Sequence, residues 1–292
     1  MKPAPFTYYD PRTVAEACDL LATRENARAL AGGQSLMPML NFRAVSPDHL
    51  IDLNKVGELA YLRVTHDALE AGAMTRQRDL ERSAEVGQRC PVLHAALAYV
   101  GHRQTRNRGT LGGSLCHLDP SAELANVAAL LGATVHARSR RGRRDIPFSE
   151  FAMGYLTTSL APDELATGVT IPLPGRHHGH AFVEFARRHG DFAIVAVSAL
   201  VALDAQGSIS DASLAISGLG PVPVRLPSVE HALRGRQPDA ALFRSAASHA
   251  DKLDAMADPY VTAAYRRHLA RVLTCRALEQ ATARAQELRA KG

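Results

Sequence analysis

The chain has 292 residues, of which 46% are hydrophobic, so it is long and apolar enough to form two or three buried cores. Its formal net charge of +5 at pH 7 is modest for this length, tryptophan is absent, and only 5% of the residues are aromatic. A nucleic-acid surface combines clustered basic residues with aromatic side chains, so this composition argues against nucleic acid as a partner.

The four cysteines stand far apart in the sequence and form no Cys-x-x-Cys pair: Cys18, Cys90, Cys116 and Cys275. This spacing argues against a zinc site, an iron–sulfur cluster or a disulfide framework carried by the chain itself. The first residues contain no apolar signal segment, and no apolar run is long enough to cross a membrane. We therefore expect a cytoplasmic protein with reduced thiols and without membrane insertion.

The first 55 residues alternate short strands with helical segments. Strands are predicted at Phe6–Tyr9, Ala27–Leu30 and His49–Leu53. Thr13 and Glu16 have the spacing of a capping box, which predicts the start of a helix after the first strand. This pattern indicates a small α/β lobe.

Two glycine-rich stretches are the most informative features of the first half. Ala31–Leu36 reads AGGQSL, and Asn107–Glu123 reads NRGTLGGSLCHLDPSAE. Neither has the G-x-G-x-x-G spacing of a dinucleotide fingerprint or the Gly-Lys-Ser/Thr ending of a P-loop. Glycines let a backbone take positive φ and approach a ligand closely, and concave N–H groups suit phosphate. Two such loops indicate a ligand with a long diphosphate, and an ordinary glycine-rich turn is the alternative for each.

Residues 56–175 have the pattern of a second α/β lobe. Its first predicted elements are two strands and two helices: Leu62–Val64, Leu69–Ala73, Thr75–Glu81 and Val92–Val100. Asp119 and Pro120 then predict the N-cap and first residue of a further helix, which buries Leu124, Val127 and Leu131.

Five arginines between residues 138 and 144 mark the turn of a predicted hairpin, and such a run is more often a solvated turn than a nucleic-acid site. The predicted strand Glu164–Pro172 ends the lobe, and Pro172–Gly179 has the composition of a linker. Three histidines at this linker lack a neighbouring cysteine or carboxylate in the sequence, which favours a solvated loop over a metal site: His177, His178 and His180.

The last third of the chain has a different pattern, in which two predicted strands are followed by helices. Strands are predicted at Ile194–Leu203 and Ser213–Ser217, and helices near Val229–Leu233 and Ala240–Lys252. Asp258 and Pro259 predict the start of a long C-terminal helix, whose apolar face is expected to carry Val261, Ala264, Tyr265, Leu269, Val272 and Leu273. Such a helix can cover a sheet or bind a partner.

A third stretch, Arg187–Ala193, reads RRHGDFA. Together with Ala31–Leu36 and Asn107–Glu123, in this order and spacing, it resembles the FAD-binding medium subunit of molybdenum hydroxylases, the carbon monoxide dehydrogenase and xanthine dehydrogenase group. The resemblance covers nearly the whole chain. It implies an α+β fold with a two-lobed FAD-binding domain at 1–175, in lobes of about 1–55 and 56–175, followed by a C-terminal sheet-and-helix domain at 178–288.

The resemblance also implies which residues hold FAD: Ala31, Gly32, Gly33, Gln34, Ser35, Thr110, Leu111, Gly112, Gly113, Ser114, Asp119, Glu123, Leu165, Arg187 and Phe192. The first five and the next five match the family's two FAD loops, whose backbone N–H groups face the diphosphate. Glu123 matches the acidic residue that takes the ribose hydroxyls. Leu165 matches an aliphatic residue near the flavin or adenine, with a plain core strand position as the alternative, and a helix cap is the alternative for Asp119.

Phe192 matches the aromatic residue beside the isoalloxazine ring, which is often tyrosine in relatives. Phenylalanine keeps the stacking face and loses the hydroxyl. Some relatives have lysine where this chain has Glu184 or Ala186. Arg187 or Arg188 is therefore expected to supply the positive charge beside reduced, anionic flavin, and pairing with acidic surface residues is the alternative for both.

The resemblance implies a division of labour among subunits. A large molybdopterin subunit hydroxylates the substrate, and a small iron–sulfur subunit with [2Fe-2S] clusters passes electrons singly. FAD in this chain accepts them and delivers them to an external acceptor, in a dimer of heterotrimers. No catalytic side chain and no metal site is assigned here. The alternatives are a self-sufficient FAD-dependent oxidoreductase and a non-enzymatic interaction protein whose glycine stretches are structural turns.

Overall fold

The computed structural model describes residues 1–291 and builds them around three main sheets. The first lobe is a small parallel sheet with two helices. Its elements are β1 (Thr7–Tyr9), α1 (Val14–Thr23), β2 (Ala27–Leu30), α2 (Leu36–Asn41) and β3 (His49–Asp52). The strands lie in the order β1-β3-β2 and pair in parallel, so the carboxyl end of the edge strand β2 leads directly into the first glycine-rich stretch.

Helix α1 starts where the sequence predicts. The Thr13 hydroxyl accepts a hydrogen bond from the Glu16 N–H at 3.1 Å, and the Glu16 carboxylate accepts from the N–H of Arg12. The buried face of α1 consists of Val14, Ala17, Cys18 and Leu21, which pack on the sheet. Two short 3₁₀ turns, Leu53–Lys55 and Gly57–Leu59, connect this lobe to the next.

The second lobe contains a five-stranded antiparallel sheet and a layer of short helices. Its elements are β4 (Leu62–Val64), β5 (Ala68–Gly72), α3 (Gln77–Arg82), α4 (Ala84–Arg89), α5 (Pro91–Leu97), α6 (Arg103–Arg108), α7 (Leu111–His117), α8 (Glu123–Leu131), β6 (Thr134–Ser139), β7 (Gly142–Pro147), α9 (Phe148–Phe151), β8 (Ala152–Gly154), β9 (Thr157–Thr158) and β10 (Leu165–Pro172). The sheet order is β4-β5-β10-β6-β7, while β8 and β9 pair separately. The last long strand, β10, therefore lies at the centre.

The second glycine-rich stretch differs from the predicted loop. It consists of the end of α6, a two-residue step and the helix α7, and only Gly109 lies outside a helix among its glycines, with φ −55°. Thr110 caps α7, because its hydroxyl accepts from the N–H of Gly113 at 3.0 Å. The predicted cap at Asp119 is also wrong: α8 begins at Glu123, and the Asp119 carboxylate closes a turn by accepting from the N–H of Ser121 at 2.8 Å.

The arginine-rich turn joins β6 to β7 as predicted and is held by exposed ion pairs. Arg140 contacts Asp19 of α1, and Arg141 contacts Asp163. Exposed pairs of this kind contribute little stability each, about 0–1 kcal/mol. At the linker, His178 lies 3.3 Å from the Asp211 carboxylate, a neighbour that sequence spacing does not reveal.

The C-terminal domain is an antiparallel sheet covered by helices. Its elements are β11 (Gly179–Phe185), β12 (Val195–Leu203), β13 (Ile209–Ser217), β14 (Val224–Arg225), α10 (Pro227–Leu233), α11 (Ala240–Ala247) and α12 (Ala263–Lys291). The strands follow one another in the order β11-β12-β13-β14. Helix α12 lies across β11 and β12, and a side chain at Gly179 would collide with the α12 backbone at Ala281.

The start and the buried face of α12 differ from the prediction. The helix begins at Ala263, four residues after Pro259, and the Thr262 hydroxyl accepts from the N–H of Tyr265 at 3.2 Å. Asp258 instead pairs with the buried Arg266. Leu269 and Leu273 are buried as predicted, whereas Ala264 and Tyr265 are exposed. Small residues of the later turns complete the buried face: Ala270, Ala277, Ala281 and Ala285.

The opposite face of the C-terminal sheet packs against α5 and α8 of the second lobe. Phe182, Ala196 and Leu200 therefore belong to the same apolar core as the helices of that lobe. The observed combination of mixed lobes and a C-terminal sheet-and-helix domain confirms the α+β fold class. Within residues 1–291, no helix is both long and apolar enough to cross a membrane.

Candidate functional site

A cavity of about 740 Å³ opens between the two N-terminal lobes. This volume lies within the usual range of small-molecule and cofactor sites, about 300–1,000 Å³. One wall comes from β2 and the first glycine-rich stretch, and the other comes from the segment between α6 and the start of α8. The residues before β10 and the segment Gly190–Phe192 of the C-terminal domain complete the wall.

Of the fifteen residues that the sequence assigned to the site, all but Leu111 and Arg187 line this cavity. Leu111 is buried in the core of the second lobe. The Arg187 guanidinium lies over the ring of Tyr260, 4.7 Å from its centroid, and Arg188 does not line the wall either. Arg187 therefore packs on an aromatic ring, and among residues 1–291 neither Arg187 nor Arg188 lines the cavity.

The first glycine-rich stretch presents backbone donors to the cavity. Gly33 has φ +73°, a left-handed conformation that favours glycine, and it turns the chain from β2 into α2. The backbone N–H groups of Gly32, Gly33, Gln34 and Ser35 donate to no protein acceptor among residues 1–291. Four consecutive N–H groups without a partner around a left-handed residue form a concave site suited to an anion.

The second glycine-rich stretch contributes differently from the expectation. The N–H groups of Leu111, Gly112 and Gly113 already donate to Thr75 O, Ala73 O and the Thr110 hydroxyl. These donors are therefore satisfied within the protein, whereas the Thr110 N–H donates to no acceptor among residues 1–291, and the assignment of this stretch to a diphosphate stays a prediction. What remains towards the cavity is the Ser114 side chain and the surface of the first turn of α7.

The glycines of the two stretches let their backbones pack together. A methyl group at Gly32 would collide with the carbonyl oxygen of Arg108, and one at Gly113 would lie 3.3 Å from Ala31 Cβ and 2.7 Å from the Thr110 hydroxyl. A methyl group at Gly112 would lie 2.8 Å from Ala73 O. Side chains at Gly32 and Gly113 would therefore separate the two stretches, and one at Gly112 would push α7 away from Ala73.

Arg76 joins the two walls through hydrogen bonds. Its Nη1 donates to Arg108 O at 2.5 Å, and its Nη2 donates to Asn54 Oδ1 at 2.6 Å. Asn54 in turn donates to Ala31 O at 3.1 Å. This half-buried guanidinium thus connects both glycine-rich stretches, and burial lowers its pKa.

Glu123 stands at the start of α8 and lines the cavity, and its side chain is 7% exposed. Burial, assisted by the charge of Asp119, raises its pKa to about 7. Behind it, burial and the Glu123 charge raise the pKa of Glu184 to about 8. The Glu184 Oε2 atom has no hydrogen-bond partner among the described residues. Two carboxyl groups therefore share a poorly solvated region at this wall.

The mouth of the cavity lies where the C-terminal domain meets the second lobe. Phe192 is 67% exposed there and still lines the wall. Gly190, with φ +86°, packs directly over the ring of His102, so that a side chain at this position would collide with the imidazole. Leu165 lies deeper, buried among apolar residues of the first lobe, so it belongs both to the cavity wall and to a core.

Several wall residues were not predicted from the sequence: Arg28, Gln77, Thr105, His117, Leu160, Ala161 and Pro162. Arg28 had a usable signal, because it is a charged residue inside the apolar strand that precedes the first glycine-rich stretch. Gln77 and Thr105 had none, since they reach the cavity only through the packing of α3 and α6.

Comparison with known families agrees with this geometry. Residues 4–174 match the family model described as the FAD binding domain in molybdopterin dehydrogenase, and residues 180–281 match the CO dehydrogenase flavoprotein C-terminal domain. The chain belongs to the flavoprotein-subunit family of the molybdenum hydroxylases. The resemblance carried by the three sequence stretches is thereby confirmed.

Several relatives of this flavoprotein subunit match nearly its whole length. It is 39% identical to the 6-hydroxypseudooxynicotine dehydrogenase complex subunit alpha of Paenarthrobacter nicotinovorans, over 98% of this chain and 97% of the relative. The structure of quinoline 2-oxidoreductase from Pseudomonas putida 86 superposes with a TM-score of 0.94 at 34% identity, covering 98% of this chain and 99% of that chain. Carbon monoxide dehydrogenase from Hydrogenophaga pseudoflava gives 0.93 at 32% identity, covering 97% and 99%.

The residues present in the flavoprotein subunit fit FAD. The unpartnered N–H groups of residues 32–35 suit a diphosphate, and the buried carboxyl of Glu123 suits ribose hydroxyls. Phe192 offers an aromatic face at the mouth.

Proposed function

We propose that this chain binds one FAD between its two N-terminal lobes and acts as the electron-transferring subunit of a molybdenum hydroxylase. It accepts electrons from an iron–sulfur partner and passes them to an external acceptor. The observation that carries the proposal is the row of four unpartnered backbone N–H groups at Gly32–Ser35, which faces a cofactor-sized cavity in a fold shared with relatives of this family.

The chain's own residues bind and orient. The N–H groups of Gly32–Ser35 would hold the diphosphate, Glu123 would accept from ribose hydroxyls, and Phe192 would offer an aromatic face to the isoalloxazine ring. Bound FAD supplies redox chemistry that can proceed by one or two electrons. Arg76 keeps both glycine-rich stretches at the spacing that this binding needs, through its bonds to Arg108 O and Asn54.

The proposal includes two partners, a small subunit with [2Fe-2S] clusters and a large molybdopterin subunit, assembled as a dimer of heterotrimers in the cytoplasm. Relatives that share this fold are named for enzymes as different as quinoline 2-oxidoreductase and carbon monoxide dehydrogenase. Because the fold of this subunit is constant while those names differ, we assign the choice of substrate to the molybdenum partner.

The domain limits are also a proposal: an FAD-binding domain at 1–175, in lobes of about 1–55 and 56–175, and a C-terminal domain at 178–288. They are supported by the family matches at 4–174 and 180–281 and by the irregular segment between β10 and β11.

The cofactor assignment is tested by the visible spectrum of the purified chain and by acid precipitation. We expect a flavin spectrum and complete release of FAD into the supernatant, because no covalent link is proposed. Colour that stays with the precipitated protein contradicts non-covalent binding. FMN in place of FAD, or a colourless chain that takes up no FAD, contradicts the proposal itself.

The subunit role is tested by stopped-flow absorbance. The isolated flavin-loaded chain is mixed with a substrate of the assembled enzyme, and the same mixture is repeated with the iron–sulfur and molybdenum subunits added. We expect bleaching of the flavin only in the complete mixture. Rapid bleaching of the isolated chain would instead identify a self-sufficient flavoenzyme.

A further inference from the structure

Arg266 is a buried arginine whose hydrogen bonds leave its own helix. It lies in the first turn of α12 and is 6% exposed. Its Nη1 donates to Ile194 O and to Gly218 O, both at 2.7 Å, and its Nη2 donates to the Asp258 carboxylate. The helix dipole disfavours a cation in a first turn, so this charge does not stabilise α12 itself. The guanidinium therefore serves the three groups that it contacts.

The first of these groups lies at the end of the loop 186–194, called here the mouth loop. This loop joins β11 to β12 and contains Phe192, which lines the cavity. At its base the N–H of Ile194 donates to Phe185 O at 2.7 Å, whereas no backbone N–H among residues 1–291 donates to Ile194 O. The Ile194 carbonyl, two residues after Phe192, thus depends on Arg266 for its hydrogen bond.

The second carbonyl connects Arg266 to the turn before α8. The N–H of Gly218 donates to Pro120 O at 2.8 Å, in that turn. Gly218 has φ +82°, and a side chain there would collide with Ile194 O. Both carbonyls therefore converge on one guanidinium, which couples the mouth loop to the turn that leads into α8.

The Asp258 carboxylate extends the same contact to the start of the mouth loop. It accepts from the N–H groups of Tyr260 and Val261, at 2.7 and 2.9 Å, and so fixes the turn that places the Tyr260 ring. Arg187, at the start of the mouth loop, packs on that ring with its guanidinium 4.7 Å from the ring centroid. The Asp258–Arg266 pair therefore holds both ends of the mouth loop.

We propose that Arg266 is a positioning residue, which fixes the mouth loop so that Phe192 stays at the cavity mouth. The contact of Phe192 with FAD rests on the proposed function, whereas the position of the mouth loop does not. A guanidinium donates in several fixed directions at once, which a single ammonium nitrogen does not reproduce. Loss of Arg266 leaves two carbonyl oxygens and a carboxylate without their donor, so the mouth loop becomes mobile.

A fluorescent reporter at the cavity mouth tests this role. The chain contains no tryptophan, so Phe192→Trp introduces a single indole, and the 67% exposure of Phe192 leaves room for the larger ring. The experiment measures the fluorescence anisotropy of this indole in the full flavin-free chain, with and without Arg266→Met. We expect Arg266→Met to lower the anisotropy, because the mouth loop is released. Arg266→Lys should give a value between the two.

Two control variants separate position from stability. Arg276→Met removes an exposed positive charge from α12, and Leu269→Ala removes a buried side chain from the same helix. Neither should change the anisotropy. An unchanged anisotropy in Arg266→Met overturns the proposal, and so does an equal fall in Leu269→Ala. If Arg266→Met does not fold, Asp258→Asn, at a partly exposed position, has to lower the anisotropy in its place, and an unchanged value there is equally decisive against the proposal.

Saturating FAD then tests whether the mouth loop brings Phe192 to the flavin. A flavin ring quenches the fluorescence of a nearby indole, so FAD should quench the reporter in the parent chain and quench it less in Arg266→Met. Equal quenching in the two proteins overturns the proposal, because Phe192 would then reach its position without Arg266. A parent chain that takes up no FAD contradicts the proposed function, while the flavin-free anisotropy still decides the role of Arg266.

Discussion

Replacing Glu123 by Gln tests the electrostatics of the candidate site. Burial, with Asp119 nearby, raises the pKa of this carboxyl from 4.5 to about 7. The folded chain therefore binds this proton more tightly than the unfolded chain does. The favourable contribution is complete below about pH 4.5 and is lost as the pH rises towards 7. The gap between 4.5 and about 7 corresponds to about 3 kcal/mol, at roughly 1.4 kcal/mol per pH unit.

Urea denaturation of the flavin-free chain at pH 5, 6, 7 and 8 measures this effect. A glutamine cannot ionise, so the stability advantage of Glu123→Gln should be below about 1 kcal/mol at pH 5 and rise to about 3 kcal/mol at pH 8. The matched control is Glu287→Gln, at an exposed position near the end of α12. A difference that is independent of pH, or largest at pH 5, would refute the assigned environment of Glu123.

The same substitution should weaken FAD binding. An ionised carboxylate accepts hydrogen bonds from hydroxyls about twice as strongly as a neutral amide does, so Glu123→Gln should lose about 10-fold in FAD affinity at pH 8. Stability and affinity thus move in opposite directions. The ionised Glu123 carboxylate lowers the stability of the flavin-free chain and raises its affinity for FAD. Tighter FAD binding by Glu123→Gln would show that the ribose assignment is wrong.

Further substitutions test the walls of the cavity and their support. Gly33→Ala and Gly132→Ala both place a side chain at positive φ and should each lower stability by about 1 kcal/mol, but only Gly33→Ala should also lower FAD affinity in titration. Gly113→Val should give a folded chain, checked by circular dichroism, that retains no flavin. Arg76→Met should lower stability by about 1–2 kcal/mol in urea and weaken FAD binding, because Arg108 O and Asn54, which itself donates to Ala31 O, lose their common donor. Asn126→Leu should lower both stability and FAD affinity.

Structural features that neighbouring residues decide could be predicted from the sequence. The capping box at Thr13 and Glu16, the strand β2 before its glycines, and the arginine-rich hairpin turn all form where predicted. The first glycine-rich stretch is also a loop with a left-handed glycine. In these cases hydrogen bonds or backbone angles within a few residues decide the structure.

Structural features that depend on residues distant in the chain could not be predicted from the sequence. Gly112 and Gly113 favour a loop because glycine is a poor helix former, yet both lie in α7. The reason is tertiary: Ala73 and Ala31 leave no room for side chains there. Asp119 illustrates a different difficulty, since an aspartate before a proline can cap a helix or close a turn with the same local pattern.

The candidate site itself was partly predictable. The family resemblance supplied twelve wall residues in three separate stretches that converge on one cavity, and Leu165 in addition. The position of Arg187 could not be predicted, because its guanidinium packs on the ring of Tyr260, which lies far along the chain, just before α12. Gln77 was not identified because it reaches the cavity wall only through the packing of α3 against α6.

Asn126 links the C-terminal domain to the candidate site. It stands three residues after Glu123 on α8 and is completely buried. Its Nδ2 donates to Ala196 O at 3.2 Å and to the Ser217 hydroxyl at 3.1 Å, and its Oδ1 accepts from the Ser198 hydroxyl. Asn126→Leu leaves these groups unsatisfied, so it should cost about 3 kcal/mol in urea denaturation.

Loss of FAD affinity after Asn126→Leu has two separable causes, a displaced α8 and a generally weaker fold. Leu269→Ala on α12 removes a buried side chain from the opposite face of the C-terminal sheet and should cost a similar 2–4 kcal/mol. If the amide of Asn126 positions Glu123, FAD affinity falls in Asn126→Leu and is retained in Leu269→Ala. Equal losses in both variants would mean that affinity follows overall stability. Retained affinity in both would mean that the C-terminal domain does not set the position of α8.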